Sequence, residues 1–576
     1  MLGMLILRRA LLILLALALV AGAWLWWNRP QKVDLAAYVP ADTLIYVEVN
    51  DLPGVARALT ATDAWQALAP AFGLEKEYRR FGWPSRLAAW SGVGPAEAVV
   101  FARAQLAVTV QGFGAAEESQ ETLKITPRLA LVAETHTSES RVRAAVEKLV
   151  GDFARSAYRS PRLERSETDE AFYFTWTSPA DERRKIVAAV TGSVAVVGND
   201  RAAVDACLAA RRGERPALTG DPQLGAMRER MRASGALAFG YVSPGGATRL
   251  LEFAVLAYVG QYVREPQMQS VVASLLPQVT QKILGGAAWS ARAGGGAVED
   301  EYFLSLRNDL GARLAASLDA SDVDTRGAAA MLPSGAYQFT RYNTRDPEAA
   351  WRGLNASVAA QLDILTAPFL TRFLEAVLKD YGVEDPSAFL RASGPGPVTA
   401  RLDDGGASTV VVVGVRERAA LEAAVRKRLG SGARTESAGG ESLTVAADEE
   451  QGAAAFVGNQ LIMGAADDVR RCLEARAAAK TLADSADFRE APRGLFQSPG
   501  ASAATLTDDR AVAEAFVSYF AGRRPAGQAA PAANLPAGRA YALTESRFVA
   551  DGYERKTVSS FGSFGALLTR FAPSPD

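Results

Sequence analysis

One stretch of sequence occurs twice in this chain, and it constrains the architecture more than any other feature. Residues 188–208 and 454–473 each read as an apolar strand, a turn containing Gly, a second apolar strand, another Gly and a helix. The two cysteines of the protein, Cys207 and Cys472, occupy the same position in the two helices. Each lies three residues after a Val and one before a Leu, the spacing of one apolar helix face. The repeat predicts an internal duplication.

Other segments pair in the same order along the chain. Residues 39–50 and 331–343 both predict a turn, a strand and then a helix that starts near a Pro. The last strands match through Asp300-Glu301-Tyr302 and Asp551-Gly552-Tyr553, whereas polar positions differ, as in Glu48 against Arg341. A chain of 576 residues is also too long for one core. We therefore predict an α+β fold of two tandem domains, residues 36–325 and 326–576, each with a mainly antiparallel sheet backed by helices.

The amino terminus predicts a membrane anchor over residues 1–30. Arg8 and Arg9 precede an apolar run at 10–27 that ends in three tryptophans. Eighteen helical residues roughly span a bilayer core of about 30 Å, and the positive flank places the amino terminus in the cytoplasm. The alternative is a cleaved signal peptide, because Ala21-Gly22-Ala23 has the small-x-small form of a cleavage site. Since tryptophans suit a membrane interface, we favour a retained single-pass anchor in the cell inner membrane, with the rest of the chain periplasmic or extracellular.

The charge balance gives no indication of a nucleic-acid partner. The chain has 63 basic and 64 acidic residues, so no net positive footprint for phosphate exists. Two cysteines without Cys-x-x-Cys spacing cannot form a disulfide framework or a typical zinc site. We predict that Cys207 and Cys472 are buried core thiols. A disulfide between them would require the two helices to lie face to face.

The remaining candidates for chemistry also have structural interpretations. His136 is the single histidine and lies in no G-x-S-x-G context, so we expect an exposed, structurally neutral side chain. Val197-Gly198-Asn199-Asp200 lacks the further glycines of a nucleotide-binding loop, and we predict helix capping there. The carboxylates of Glu299-Asp300-Glu301 and Asp403-Asp404 are neighbours on predicted strands and would point to opposite faces. We assign no catalytic, cofactor-binding or metal-ligating residue.

The Pro-Ala-Asp-Thr-Leu-Ile-Tyr-Val-Glu-Val segment at 40–49, behind one predicted anchor, resembles a family of bacterial exported proteins classed as a domain of unknown function. The Val-Gly-Asn and Cys-Leu elements of the doubled stretch are similar to that family as well. The resemblance implies an extracytoplasmic α+β protein and supplies no catalytic residues. We predict a non-catalytic binding or scaffold protein of the bacterial envelope with an envelope protein or an apolar ligand as partner. The alternatives are an extracytoplasmic hydrolase with an unrecognised site and a carrier of lipids or other apolar ligands.

Overall fold

A computed structural model describes residues 32–72, 74, 100, 104–119, 122–262, 280–318, 320, 324–360, 383, 385–406, 408–448, 451–491, 494–496, 500–521, 535–536 and 539–571. The described residues of the first half form ten strands: β1 (Ile45–Val49), β2 (Gln105–Ser119), β3 (Thr122–Glu134), β4 (Arg162–Glu167), β5 (Phe172–Thr177), β6 (Lys185–Thr191), β7 (Val194–Gly198), β8 (Ala238–Val242), β9 (Leu284–Gly294) and β10 (Ala297–Leu306). The helices of this half are α1 (Leu52–Thr60), α2 (Asp63–Leu68), α3 (Glu139–Tyr158), α4 (Arg201–Arg211), α5 (Pro222–Arg230), α6 (Pro244–Tyr262) and α7 (Leu310–Leu318).

The part of the second half that the structure describes contains another ten strands: β11 (Gln338–Tyr342), β12 (Val398–Arg401), β13 (Thr409–Gly414), β14 (Arg434–Ala438), β15 (Glu441–Val445), β16 (Ala453–Val457), β17 (Gln460–Gly464), β18 (Ala503–Asp508), β19 (Tyr541–Val549) and β20 (Gly552–Ser559). Its helices are α8 (Arg326–Ala329), α9 (Pro347–Ala359), α10 (Pro386–Ala392), α11 (Arg418–Leu429), α12 (Ala466–Ala477), α13 (Ala486–Glu490), α14 (Arg510–Ala521) and α15 (Gly562–Phe571).

All twenty strands form one antiparallel sheet. Their spatial order is β4-β5-β6-β7-β3-β2-β1-β8-β9-β10-β20-β19-β18-β11-β12-β13-β17-β16-β15-β14. Read inward from either end, the order of β1–β10 is the same as that of β11–β20. The fold is therefore α+β with a large antiparallel sheet, and the expected sheet of each half is one part of a single sheet because β10 pairs with β20.

Local sequence explains the main elements. β13 holds four consecutive valines, which are buried on both faces, as expected for an inner strand. α1, α5 and α10 each start with an Asp whose side chain accepts a backbone N–H of the first turn, followed by Pro at one of the first two positions. The two outermost strands, β4 and β14, carry exposed Arg and Glu side chains. Such charges discourage pairing of a sheet edge with another chain.

Helices cover both faces of the sheet. We call front the face that carries Tyr46, Phe303 and Phe339, and back the opposite face. On the front, α4 and α5 pack over the first half, and α12 packs over the second half. On the back, α3 covers β5–β7, and α10 and α11 cover the corresponding strands of the second half.

A third core on the back face joins the two halves. Trp65 of α2 lies with its ring centroid 6.5 Å from those of Phe516 in α14 and of Phe561. The Phe516 and Phe561 rings stack at 4.1 Å, over Ala291 and Val298 of the sheet. Arg539 also donates to Asp63 of α2 at 2.9 Å. Because this apolar cluster uses side chains from both halves, its burial stabilises their association directly.

Within the described part of the chain, no helix combines the length and the apolar character that crossing a membrane requires. The predicted anchor, residues 1–30, lies outside the described residues.

Candidate functional site

The two halves meet on the front face in a strip of charged side chains along β10 and β20. Glu301 pairs with Lys556 across the two strands, and Phe303 pairs with Glu554. Because side chains alternate along a strand, all four point to the front. We call the following residues the junction cluster: Arg230, Arg232, Arg292, Glu299, Glu301, Arg547, Asp551, Glu554 and Lys556.

Glu301 is the centre of the first-half side of the junction cluster. It accepts from Arg292 of β9 at 3.0 Å and from Arg232, just after α5, at 3.4 Å. Lys556 of the second half lies 3.7 Å from Glu301 and 3.8 Å from Glu299. Arg292 also donates to the carbonyl oxygen of Met231, so it fastens the segment after α5 to the sheet.

Glu554 is the centre of the second-half side. Arg230, at the end of α5, donates to it at 2.8 Å, and Arg547 of β19 donates at 2.9 Å. Burial opposes ionisation of this carboxyl, but the hydrogen bonds from Arg547 and Arg230 outweigh burial and lower the pKa of Glu554. Arg230 reaches Asp551 as well, at 2.6 Å. One arginine of the first half thus holds two carboxylates of the second half.

Two aromatic rings support the cations of the junction cluster. The Arg230 guanidinium lies 3.6 Å from the ring centroid of Phe303, and that of Arg547 lies 4.3 Å from the centroid of Phe496. Phe496 is positioned through Glu545, a buried carboxylate of β19 that accepts the backbone N–H groups of Gly494, Leu495 and Phe496. A cation over an aromatic face gains electrostatic attraction, so the rings fix the arginines in place.

The exposure and pairing of the junction cluster determine what it can do. The side chains of Glu301, Glu554 and Lys556 are 13%, 15% and 19% exposed, so they are neither core nor free surface. Glu301 and Glu554, the carboxylates at the centre, are each paired with at least two basic side chains. The arrangement suits recognition of a charged partner group through exchange of ion pairs.

Among the described residues, no group of three or more His, Cys, Asp or Glu side chains is placed to hold a metal ion.

The prediction of an exposed His136 is wrong. Its side chain is 15% exposed, with Nε2 3.2 Å from Oε1 of Gln105. Its backbone N–H donates to Glu134 at 3.0 Å, and its Nδ1 lies 3.9 Å from the same carboxylate. The polar neighbours Thr135 and Thr137 predict an exposed position for His136. In the structure, Gln105 of the adjacent strand β2 contacts the imidazole ring and covers it.

The cysteines lie in separate cores, as free thiols. Cys207 packs on the front of the first half with Val204 and Leu208, and Cys472 packs on the front of the second half with Val469 and Leu473. Burial raises the pKa of each thiol to about 12. Their placement on buried helix faces follows the apolar spacing that predicted it.

The turn after β7 has a structural role that the sequence predicted in part. Asp200 caps α4 by accepting the N–H of Ala202 at 3.0 Å. Asn199 instead links β7 to β3, because its side chain accepts from Leu129 N and donates to Pro127 O. A Cβ at Gly198 would approach the Leu129 carbonyl to 2.6 Å, which explains the glycine.

The adjacent carboxylates separate in the structure. Glu299 and Glu301 join the junction cluster on the front, while Asp300 is buried on the back, where it accepts from Trp289 Nε1 at 2.8 Å and Ser563 N at 2.7 Å. Asp403 and Asp404 were expected on a strand but follow the end of β12, where Asp403 accepts the N–H of Gly406 at 3.0 Å. The turn forms because Gly406 adopts a positive φ of 80°.

No local sequence pattern indicates the junction cluster as a whole, because Arg230 and Glu554 are 324 positions apart. In comparisons with known proteins, the chain matches no family model, and no curated protein or solved structure is significantly similar to it.

Proposed function

We propose that this chain is a membrane-anchored extracytoplasmic protein of a bacterial envelope that binds a partner protein without catalysis, with residues 1–30 as the anchor. The partner surface is the junction cluster, and the partner presents charged side chains to it. The observation that carries this proposal is the set of part-exposed ion pairs of the junction cluster, around Glu301, Lys556 and Glu554 at the centre of the sheet.

Energetics favour binding as the role of these pairs. An ion pair that is partly removed from water contributes little net stability, because loss of hydration offsets the attraction between the charges. The apolar core around Trp65 and Phe516 already joins the halves on the back face. Complementary charges, in contrast, give an interface its specificity and its rate of association. A front strip of alternating charge is therefore better explained by recognition than by stability alone.

We further propose that the chain arose by tandem duplication, with the two halves joined edge to edge. The shared strand order supports this, as does the doubled strand-turn-helix unit with Cys207 and Cys472. Near the start of each half, a short helical turn buries Leu35 and Ala36, or Ala328 and Ala329, against the following sheet. A duplicated fold whose two halves carry different polar residues suits a scaffold protein that binds a partner at the junction cluster.

The test is site-specific photocrosslinking in intact membranes. A photoreactive residue at Glu299, which borders Lys556, should capture a defined partner that is lost when Lys556→Gln is added. Glu182, an exposed glutamate in the turn between β5 and β6, is the matched control position and should not capture it. Equal capture at both positions, capture unaffected by Lys556→Gln, or recovery of this protein alone would refute a partner at the junction cluster.

A further inference from the structure

The segment that follows the predicted anchor is fixed to the folded body from its first residues. The buried side chain of Gln105, at the start of β2, accepts the N–H of Val33 at 2.8 Å and donates to its carbonyl oxygen at 2.9 Å. The same amide donates to Asn50, at the end of β1, at 2.7 Å. The backbone N–H and C=O of Val33 are thus both hydrogen-bonded to a side chain at the end of β2.

An ion pair and a buried helical turn continue this attachment. Asp34 accepts from Arg228 of α5 at 2.9 Å and caps the short helix Leu35–Tyr38. Burial opposes ionisation, but the bonds from Arg228 and Thr219 lower the pKa of Asp34. Leu35, Ala36 and Val39 are fully buried in the front core of the first half. Residues 33–39 therefore belong to the folded body and are no flexible linker.

The second half contains the same attachment at an internal position. The Leu332 carbonyl accepts the N–H of Leu482, just as the Val39 carbonyl accepts the N–H of Leu218, both at 2.8 Å. Pro333 and Pro40 then form matching bridges to Thr481 and Ala217. Because the second copy of this segment follows α7 in the interior of the chain, its packing is a property of the fold.

The distance left for a linker is consequently short. The apolar run of the predicted anchor ends at Trp27, and Val33 is bonded to the folded body. Six residue steps of extended chain span about 20 Å at most. That length is smaller than a domain of this size, so the body cannot turn freely above the bilayer.

We propose that the strand ends that hold Val33, marked by Asn50 after β1, Gln105 of β2 and Glu134 of β3, lie against the lipid headgroups and keep the body in one orientation. The inference rests on the proposed anchor. The far end of β3 then points away from the membrane, since the eight residue steps from Thr126 to Glu134 cover about 27 Å. The partner of these strand ends is a lipid bilayer surface.

Energy transfer to labelled lipids tests the orientation. The native thiols are buried, so a single introduced cysteine can be labelled selectively. Ser138→Cys lies four residues beyond Glu134 at an exposed helix start without a side-chain cap, and Thr126→Cys lies exposed near the other end of β3. The full chain is reconstituted in phosphatidylethanolamine and phosphatidylglycerol vesicles that contain an acceptor dye on the headgroup. We expect at least twofold higher transfer efficiency from position 138 than from position 126.

A linker insertion and a flotation assay separate the possible failures. About fifteen Gly and Ser residues inserted between Pro30 and Gln31 should abolish the difference between the two positions, because a flexible linker of that length spans about 20 Å on average and more when extended. Equal transfer from both positions in the protein without the insertion, or a difference that survives the insertion, overturns this inference alone. A chain that does not float with vesicles after a carbonate wash overturns both the anchor and the inference.

Discussion

Gly213 and Ala479 both have a positive φ, and each lies two residues after the end of a helix that holds a cysteine, α4 or α12. Their φ angles are 76° and 50°, and each donates its N–H to the carbonyl three residues earlier. Left-handed geometry costs a residue with a side chain roughly 1–2 kcal/mol but costs glycine little. We expect Ala479→Gly to stabilise the protein by about 0.5–1 kcal/mol, after the larger chain entropy of glycine in the unfolded state is subtracted. Urea denaturation measures the change.

Gly213→Ala is the control for this prediction. Space is available for a Cβ at Gly213, so only backbone strain is added. We expect a loss of about 1 kcal/mol in the free energy of unfolding. Effects of the same sign in both variants would show that the two helix ends are not equivalent.

Arg228 holds two carboxylates of different origin, Asp34 after the predicted anchor and Glu48 on β1. Glu48 is buried and also accepts from Tyr46 at 2.7 Å. Arg228→Met would leave Glu48 without its cation, and we expect a loss of about 2–4 kcal/mol, somewhat below the range for a fully buried pair. Hydrogen exchange at Ala36, whose N–H donates to Asp34, should also accelerate.

The exposed pair of Arg183 and Asp181 is the comparison for Arg228. Arg183 is 90% exposed, and Arg183→Met should leave the free energy of unfolding nearly unchanged, because an exposed ion pair is screened by solvent. If the two variants lose similar stability, Arg228 does not hold residues 33–39 on the folded body.

Asp509 makes the stability dependent on pH. Burial raises the pKa of Asp509 to about 6, and the nearby Asp508 adds to the rise, while the carboxyl accepts the N–H of Ser560 at 2.7 Å. The folded state therefore binds more protons than the unfolded state between about pH 4 and 6, and this contribution to stability falls as pH rises through that window. Relative to Asp509→Asn, the wild-type protein should lose about 2–3 kcal/mol between pH 4 and pH 7.

Asp324 should show the opposite sign. A hydrogen bond from Arg326 lowers the pKa of this exposed carboxyl to about 2, so its contribution is present above pH 4 and disappears as pH falls. Chemical denaturation of Asp509→Asn and Asp324→Asn at several pH values measures both. A pH profile of Asp509→Asn parallel to that of the wild type would contradict the role of Asp509.

Local features of this fold could be predicted from sequence. The strands and helices around Cys207 and Cys472 follow from apolar periodicity, as do the opposite faces of Glu299 and Asp300. The alignment of Asp300 with Asp551 is wrong, because Asp300 lies inside β10 whereas Asp551 lies in the turn before β20. Measured from the turns, the mismatch is four residues. A shift by four keeps every side chain on its face, so the alternating pattern cannot detect it.

The junction between the halves could not be predicted. The pairing of β10 with β20 and the contact of Arg230 with Glu554 depend on which strand edges meet, and periodicity carries no information about partners. Charged residues on a strand predict that their side chains are exposed to solvent. In the structure these side chains are partly covered because counter-ions from both halves meet across β10 and β20.

Glu554 is the residue through which this junction is best tested for stability. Glu554→Gln keeps the shape but leaves Arg230 of the first half and Arg547 of the second without their shared charge. Charge-assisted hydrogen bonds contribute about 1.5–3 kcal/mol, and with the partial exposure of these groups we expect a loss of about 1–2 kcal/mol. Glu299→Gln, the more exposed control near Lys556, should cost less than about 0.5 kcal/mol. Thermal denaturation at low and high salt measures both, and salt should reduce the difference between Glu554→Gln and the wild type. Equal losses in the two variants would place the coupling of the halves in the Trp65 and Phe516 core instead.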